Sequence, residues 1–158
     1  MKMILFAEEW LYQELYQAYS VTIDGKRSSF FSRDESYLLH SQKKDHVNFA
    51  LDTVGGIKNV THILLQRSLY GNEEILSILQ RIRLLRPSIY TVLIMDQYNE
   101  KDPLDALFIS EIVKENLAFF CFQAANLGDL FERNFNISYA DRIIEKYKKK
   151  DRLRMLRL

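Results

Sequence analysis

Cysteine is nearly missing from this chain of 158 residues: a single Cys121 excludes an internal disulfide and any cysteine-cluster zinc site, and it suits a reducing compartment. Proline (two) and glycine (five) are equally scarce, which excludes low-complexity and collagen-like architectures. No uncharged apolar run approaches the ~18–20 residues that a membrane-spanning helix requires. Glu8 and Glu9 interrupt the opening apolar stretch too early for a signal-peptide core. A G-x-x-x-x-G-K-[ST] phosphate-cradling segment is also lacking. What the chain has in quantity is apolar surface: 47% hydrophobic and 13% aromatic residues exclude intrinsic disorder. A chain of this length buries roughly 68–70% of its unfolded surface as one domain. The expectation is a soluble, cytoplasmic domain with no transmembrane segment.

The formal net charge of +1 conceals an asymmetry. From Arg142 onward there are eight basic and two acidic residues, leaving 14 basic and 19 acidic residues in the rest. An acidic body over residues 1–137 therefore precedes a basic tail or linker over residues 138–158, marked by Lys148, Lys149, Lys150, Arg152 and Arg154. Ser138 and Asp141 suit the start of a helix. Ile143, Ile144 and Tyr147, followed by Leu153 and Leu156, then form a narrow apolar stripe along it.

Within the body, short apolar runs alternate with amphipathic segments. Residues 3–7, 62–65, 90–95 and 118–122 read as strands buried on both faces. Residues 8–19, 72–85, 102–117 and the segment from Leu127 read as helices. Asn72 is the expected cap of the second and Asp102-Pro103 of the third, while Arg86-Pro87 should stop the second. Residues 20–60 are ambiguous: 21–26 fits a hairpin, 37–40 a strand, 45–53 a helix ended by Gly55-Gly56. The order implies an α/β fold, a doubly wound, five-stranded parallel sheet with helices on both faces, of the flavodoxin-like kind.

Such sheets bind ligands at the carboxyl ends of their strands, near the point where strand order reverses. The residues in those places are Glu8 and Glu9, Gln66, Asp96 and Gln123. With these positions, and with the run Ile63-Leu64-Leu65-Gln66-Arg67-Ser68-Leu69-Tyr70-Gly71 before a long amphipathic helix, the body resembles a response-regulator receiver domain. The resemblance implies an acidic pair after the first strand, a phosphorylatable Asp after the third, a Thr or Ser after the fourth and a Lys after the fifth. Glu8-Glu9 supplies the acidic pair. Gln66 stands at the phosphoacceptor place, Asp96 at the hydroxyl place and Gln123 at the lysine place. An amide is no nucleophile toward a phosphoryl donor, so the site resembles that of an atypical, degenerate receiver. Atypical receivers of this sort also occur at the amino end of MinD-like localisation ATPases of pilus assembly (CpaE/TadZ type).

Two classes of function follow. The first is a non-enzymatic, phosphorylation-independent signalling or localisation module that acts by protein–protein contact or as a homodimer. The expected contact face is the 102–117 helix and its neighbour, with Phe108, Ile109, Glu111, Glu115 and Asp129: its apolar residues sweep more of the helix than one sheet-facing stripe can use. The second is a small ligand- or metal-binding enzyme on the same scaffold. There Glu8, Glu9 and Asp96 would hold Mg2+ or serve acid–base chemistry; alternatively, Glu8 and Glu9 simply favour the positive end of a helix. No cofactor is required by the first class. His40, His46 and His62 lack ligand-like spacing and read as structural or surface residues, and Cys121 as an inert core thiol. The basic tail reads first as a connecting or dimerising helix, ahead of a nucleic-acid arm or a membrane-surface helix.

Overall fold

A computed structural model describes residues 2–32, 38–41 and 60–156. The helix expected over residues 45–53 and its Gly55-Gly56 stop, together with His46, lie outside the described residues. In chain order the elements are β1 (Met3–Phe6), α1 (Glu9–Ala18), β2 (Ser20–Ile23), β3 (Lys26–Ser29), β4 (Leu38–Ser41), β5 (His62–Gln66), α2 (Asn72–Leu85), β6 (Tyr90–Ile94), α3 (Pro103–Glu115), β7 (Phe119–Cys121), α4 (Leu127–Phe135) and α5 (Tyr139–Leu156). The protein is α/β with a parallel sheet. The sheet runs β4-β1-β5-β6-β7, each neighbouring pair parallel, with registers such as Met3↔Leu38, Met3↔His62 and Leu65↔Leu93. No described helix is long and apolar enough to cross a membrane.

Successive strand side chains point to opposite faces, and each apolar run feeds two cores. Met3, Leu5, Leu64, Val92, Ile94 and Cys121 pack with Leu11 and Leu15 of α1, and with Leu127 and Phe131 of α4. Ile4, Phe6, Ile63, Leu65 and Leu93 pack on the other side with Ile75, Leu79 and Ile82 of α2, and with Phe108 and Ile112 of α3.

The ambiguous region resolves partly into a hairpin. Asp24 and Gly25, both at positive φ (49° and 74°), form the two-residue turn between β2 and β3 that such backbone values favour. The helix ends are more varied than expected. Gly71, at φ +81°, occupies the cap position of α2, so Asn72 is its first helical residue and its side chain is free for another role. Asp102 does cap α3, accepting from the Leu104 amide at 2.9 Å. Asn116 and Asn136 close α3 and α4 in left-handed conformations, a use asparagine tolerates. At the start of the tail, Ile143 is 1% exposed and shares the first core, so α5 is seated on the body where it begins. There Gly128 is needed for close approach: a Cβ on it would lie 2.8 Å from a Tyr19 ring carbon and 3.3 Å from one of Tyr139.

Candidate functional site

The carboxyl ends of β1, β5 and β6 carry a connected polar lattice, centred on the last residue of β5. Gln66 is fully buried, and a buried amide must find partners for all its polar atoms. Its Oε1 accepts from the Glu8 backbone N–H at 2.6 Å. Its Nε2 faces three acceptors: Asp96 Oδ2 at 2.8 Å, Ser68 Oγ at 3.1 Å and Glu8 Oε2 at 3.3 Å. Ser68 adds two bonds to Asp96, one from its backbone N–H at 3.1 Å and one from its hydroxyl. One neutral side chain therefore joins three strand ends and sits between two carboxylates.

Arg67 forms the second half of the lattice. Its Nε and Nη2 donate to the Asp96 carbonyl at 3.2 and 2.9 Å, and Nη2 also to the Gln97 carbonyl at 2.7 Å. Its Nη1 donates to Asn72 Oδ1 at 3.2 Å and makes an ion pair with Asp105 Oδ1 at 3.0 Å. Those contacts match the guanidinium's five N–H donors and clamp the loop after β6, where Gln97 adopts a positive φ of 55°. Asp105 also accepts from the Asn99 backbone N–H at 3.0 Å and from the Asn72 amide at 3.3 Å. The Asn99 bond, then Asn72 and the Arg67 charge, hold its carboxyl below the usual range, against the opposing effect of burial.

Of the residues expected at the site, Glu8, Gln66 and Asp96 come together. Glu9 and Gln123 lie outside that lattice, although Gln123 lines a cleft together with Asp96. Glu9 is exposed and accepts from Gln13 Nε2 at 3.0 Å, since α1 turns it away from the sheet edge. Gln123 is exposed as well, and its carbonyl accepts from the Cys121 thiol at 3.0 Å and the Asn126 N–H at 2.9 Å. Burial pushes that thiol up to about 11. Among the described residues no group of three His, Cys, Asp or Glu is placed to hold a metal ion. In the place a cation would take between Glu8 and Asp96 stands the amide of Gln66.

Arg67, Ser68, Asn72 and Asp105 are the members that pattern reading missed. The signal for Asp105 was present: it lies three and seven residues before Phe108 and Ile112, so a carboxylate occupies the buried stripe of α3.

The expected contact face needs correction at Phe108, which is 5% exposed because it belongs to the core between α3 and the sheet. Ile109 is half-buried against the same core. Glu111, Glu115 and Asp129 are exposed, Glu115 accepting from Gln80 at 3.5 Å. The apolar surplus of α3 emerges instead at Leu104 and Leu107, 69% and 59% exposed, beside a groove of about 300 Å³ that includes Leu76, Glu73 and Glu111. On α5, Lys148 and Lys149 are exposed, and the backbone of Lys150, Arg152 and Arg154 continues the helix. His62, expected to be structural or exposed, is buried at the amino end of β5: its Nδ1 is 2.8 Å from Thr61 Oγ1, and burial lowers its pKa to about 4.

No protein-family model, no curated protein and no solved structure matches this chain.

Proposed function

We propose that the chain is a phosphorylation-independent, receiver-like module that acts by protein contact, either with a second copy or with another protein. The observation that carries this reading is Gln66. At the place where a receiver presents its acceptor carboxylate, a fully buried amide is tied to Glu8, Ser68 and Asp96. An amide so placed offers no nucleophile, and the lattice around it satisfies its polar atoms without a phosphoryl group. The finer reading of the fold belongs to the same proposal: a first strand flanked by β4 and β5 suits the flavodoxin-like, doubly wound order with its switch point at Glu8 and Gln66. The contact surface is the exposed leucine edge of α3, Leu104 and Leu107.

Acetyl phosphate with magnesium tests the first half of the proposal. The intact mass of the protein should remain unchanged, and a single stable phosphoryl adduct lost in Gln66→Ala would overturn it. Sedimentation tests the second half. Self-association that weakens in Leu107→Glu, with unchanged circular dichroism, identifies a homodimer on this face. A wild type that stays monomeric at high concentration eliminates the homodimer.

A further inference from the structure

A second feature of the same sheet edge stands independently of the receiver-like reading. An open cleft of about 340 Å³ lies between the start of α1 and the ends of β6 and β7, lined by Trp10, Glu14, Ile94, Asp96, Phe122 and Gln123. That volume is at the small end of the roughly 300–1,000 Å³ found for ligand pockets, room for one compact group.

Two of its lining side chains are aromatic and held in place. Trp10 is 48% exposed, yet its indole N–H donates to Glu8 Oε2 at 2.5 Å, which ties the ring to the start of α1. Phe122, 49% exposed, stacks on Phe120 with ring centroids 5.9 Å apart and tilts against Tyr98 at 5.3 Å. Two large rings kept out of the core by their own fixed contacts forfeit burial that they would otherwise gain.

The charged side chains that line the cleft, among the described residues, have one sign. Glu14 and Asp96 line the cleft, and Glu8 stands at the N–H edge of the indole. Among the described residues, the side-chain partners of Asp96 and Glu8 are all neutral: Ser68, Gln66 and Trp10. Arg67, the nearby cation among the described residues, spends its N–H groups on main-chain carbonyls, Asn72 and Asp105. An anion would meet repulsion here and a neutral apolar group would leave the field unanswered. A cation satisfies both the ring faces and the carboxylates, because aromatic quadrupoles and carboxylates attract the same charge.

We infer that the cleft between Trp10 and Phe122 binds one organic cation, a guanidinium or alkylammonium group. Two sources offer that chemistry: a free small cation, or a basic side chain such as those of the tail, where residues from Arg142 onward carry eight basic and two acidic residues.

Trp10 is the sole tryptophan of the chain, so its fluorescence reports directly on the cleft. The full-length protein is titrated with arginine amide, with citrulline amide as the neutral isostere, and with a synthetic peptide of residues 142–158. Arginine amide should shift or quench the signal saturably, with citrulline amide at least tenfold weaker. Glu14→Gln and Phe122→Ala, each checked for folding by circular dichroism, should each weaken binding threefold or more. A peptide that binds at least tenfold tighter than arginine amide assigns the cation to a tail, presented by a second copy. Equal affinities assign it to a free cation. If citrulline amide titrates as well as arginine amide, or if both folded variants bind as the wild type does, the cleft is not a cation site. A flat signal with all three probes overturns the inference as well.

Discussion

The two ends of the central strands are built on opposite principles. At their carboxyl ends, Gln66 and Asp96 belong to a polar lattice in which each donor finds an acceptor. At their amino ends, the same strands begin with His62 and Tyr90, and Phe119 opens β7. These rings pack among themselves and with α4: His62 stacks on Tyr90 at 5.2 Å, and Phe135 lies 4.9 Å from His62, 4.7 Å from Tyr90 and 5.2 Å from Phe119. Hydrogen bonds are directional and costly to leave unmade, so the polar end is specific but brittle. Ring packing depends on area and shape, so the aromatic end should lose stability in proportion to what is removed.

The largest expected effect is at the polar end. Arg67→Met strands the buried Asp105 carboxylate and frees the carbonyls of Asp96 and Gln97. Unfolding in denaturant should show a loss of about 3–5 kcal/mol, the usual result of breaking a buried pair. Adding Asp105→Asn should restore part of that loss, since the uncompensated charge disappears. A loss under 1 kcal/mol would mean that the clamp is not a stabilising device.

Gln66→Ala comes next, at about 3 kcal/mol, because it leaves the Glu8 N–H unpaired and opens a cavity among three strand ends. Thermal unfolding should fall by roughly 6–12 °C for a domain of this size. Were the two ends alike in character, this truncation would cost no more than a ring truncation of similar area.

The aromatic end has its own pH signature. His62 has a folded pKa of about 4, below the ordinary 6.5, because burial penalises its charged form. Above pH 6.5 it is neutral in both folded and unfolded states, and its contribution is fully present. As pH falls from about 6.5 to about 4, the unfolded chain takes up a proton that the folded one refuses, and about 3 kcal/mol of stability is lost. Unfolding measured at pH 7 and pH 4.5 should show most of this fall in the wild type and a flatter profile in His62→Phe. Equal slopes in the two proteins would show that the ring is not buried as described.

The smallest effect is Phe135→Ala. This partly buried ring touches His62, Tyr90, Phe119 and Phe131, and its removal should cost about 2 kcal/mol with no change in the fold of the polar end. Trp10 fluorescence checks that separation. It should be unaltered in Phe135→Ala and altered in Gln66→Ala, whose lattice reaches the indole through Glu8.

Much of the α/β alternation was legible because a strand buried on both faces must be apolar throughout, and helices between such strands must alternate apolar and polar faces. Asp102-Pro103 and Arg86-Pro87 marked boundaries through backbone chemistry that acts over two or three residues. That Glu8, Gln66 and Asp96 come together was legible since a parallel sheet brings its carboxyl ends to one edge. Asn72 was misread as a cap because the glycine before it could take a conformation that pattern does not reveal. Arg67 was passed over because an isolated arginine after a strand looks like any solvated charge.

By itself, then, the sequence determined which segments are buried, where most of them begin and end, and that no carboxylate stands at Gln66: these depend on local chemistry and on periodicity. Only the tertiary structure decided what each polar group meets. Arg67 and Asp105 are 38 residues apart, and Gln66 and Glu8 are 58 apart. Whether such pairs become an ion pair or a hydrogen bond, or leave a carboxylate facing an aromatic cleft, depends on strand order and register. Those are set by the simultaneous burial of both sheet faces, a condition on the whole chain that no short window of residues contains.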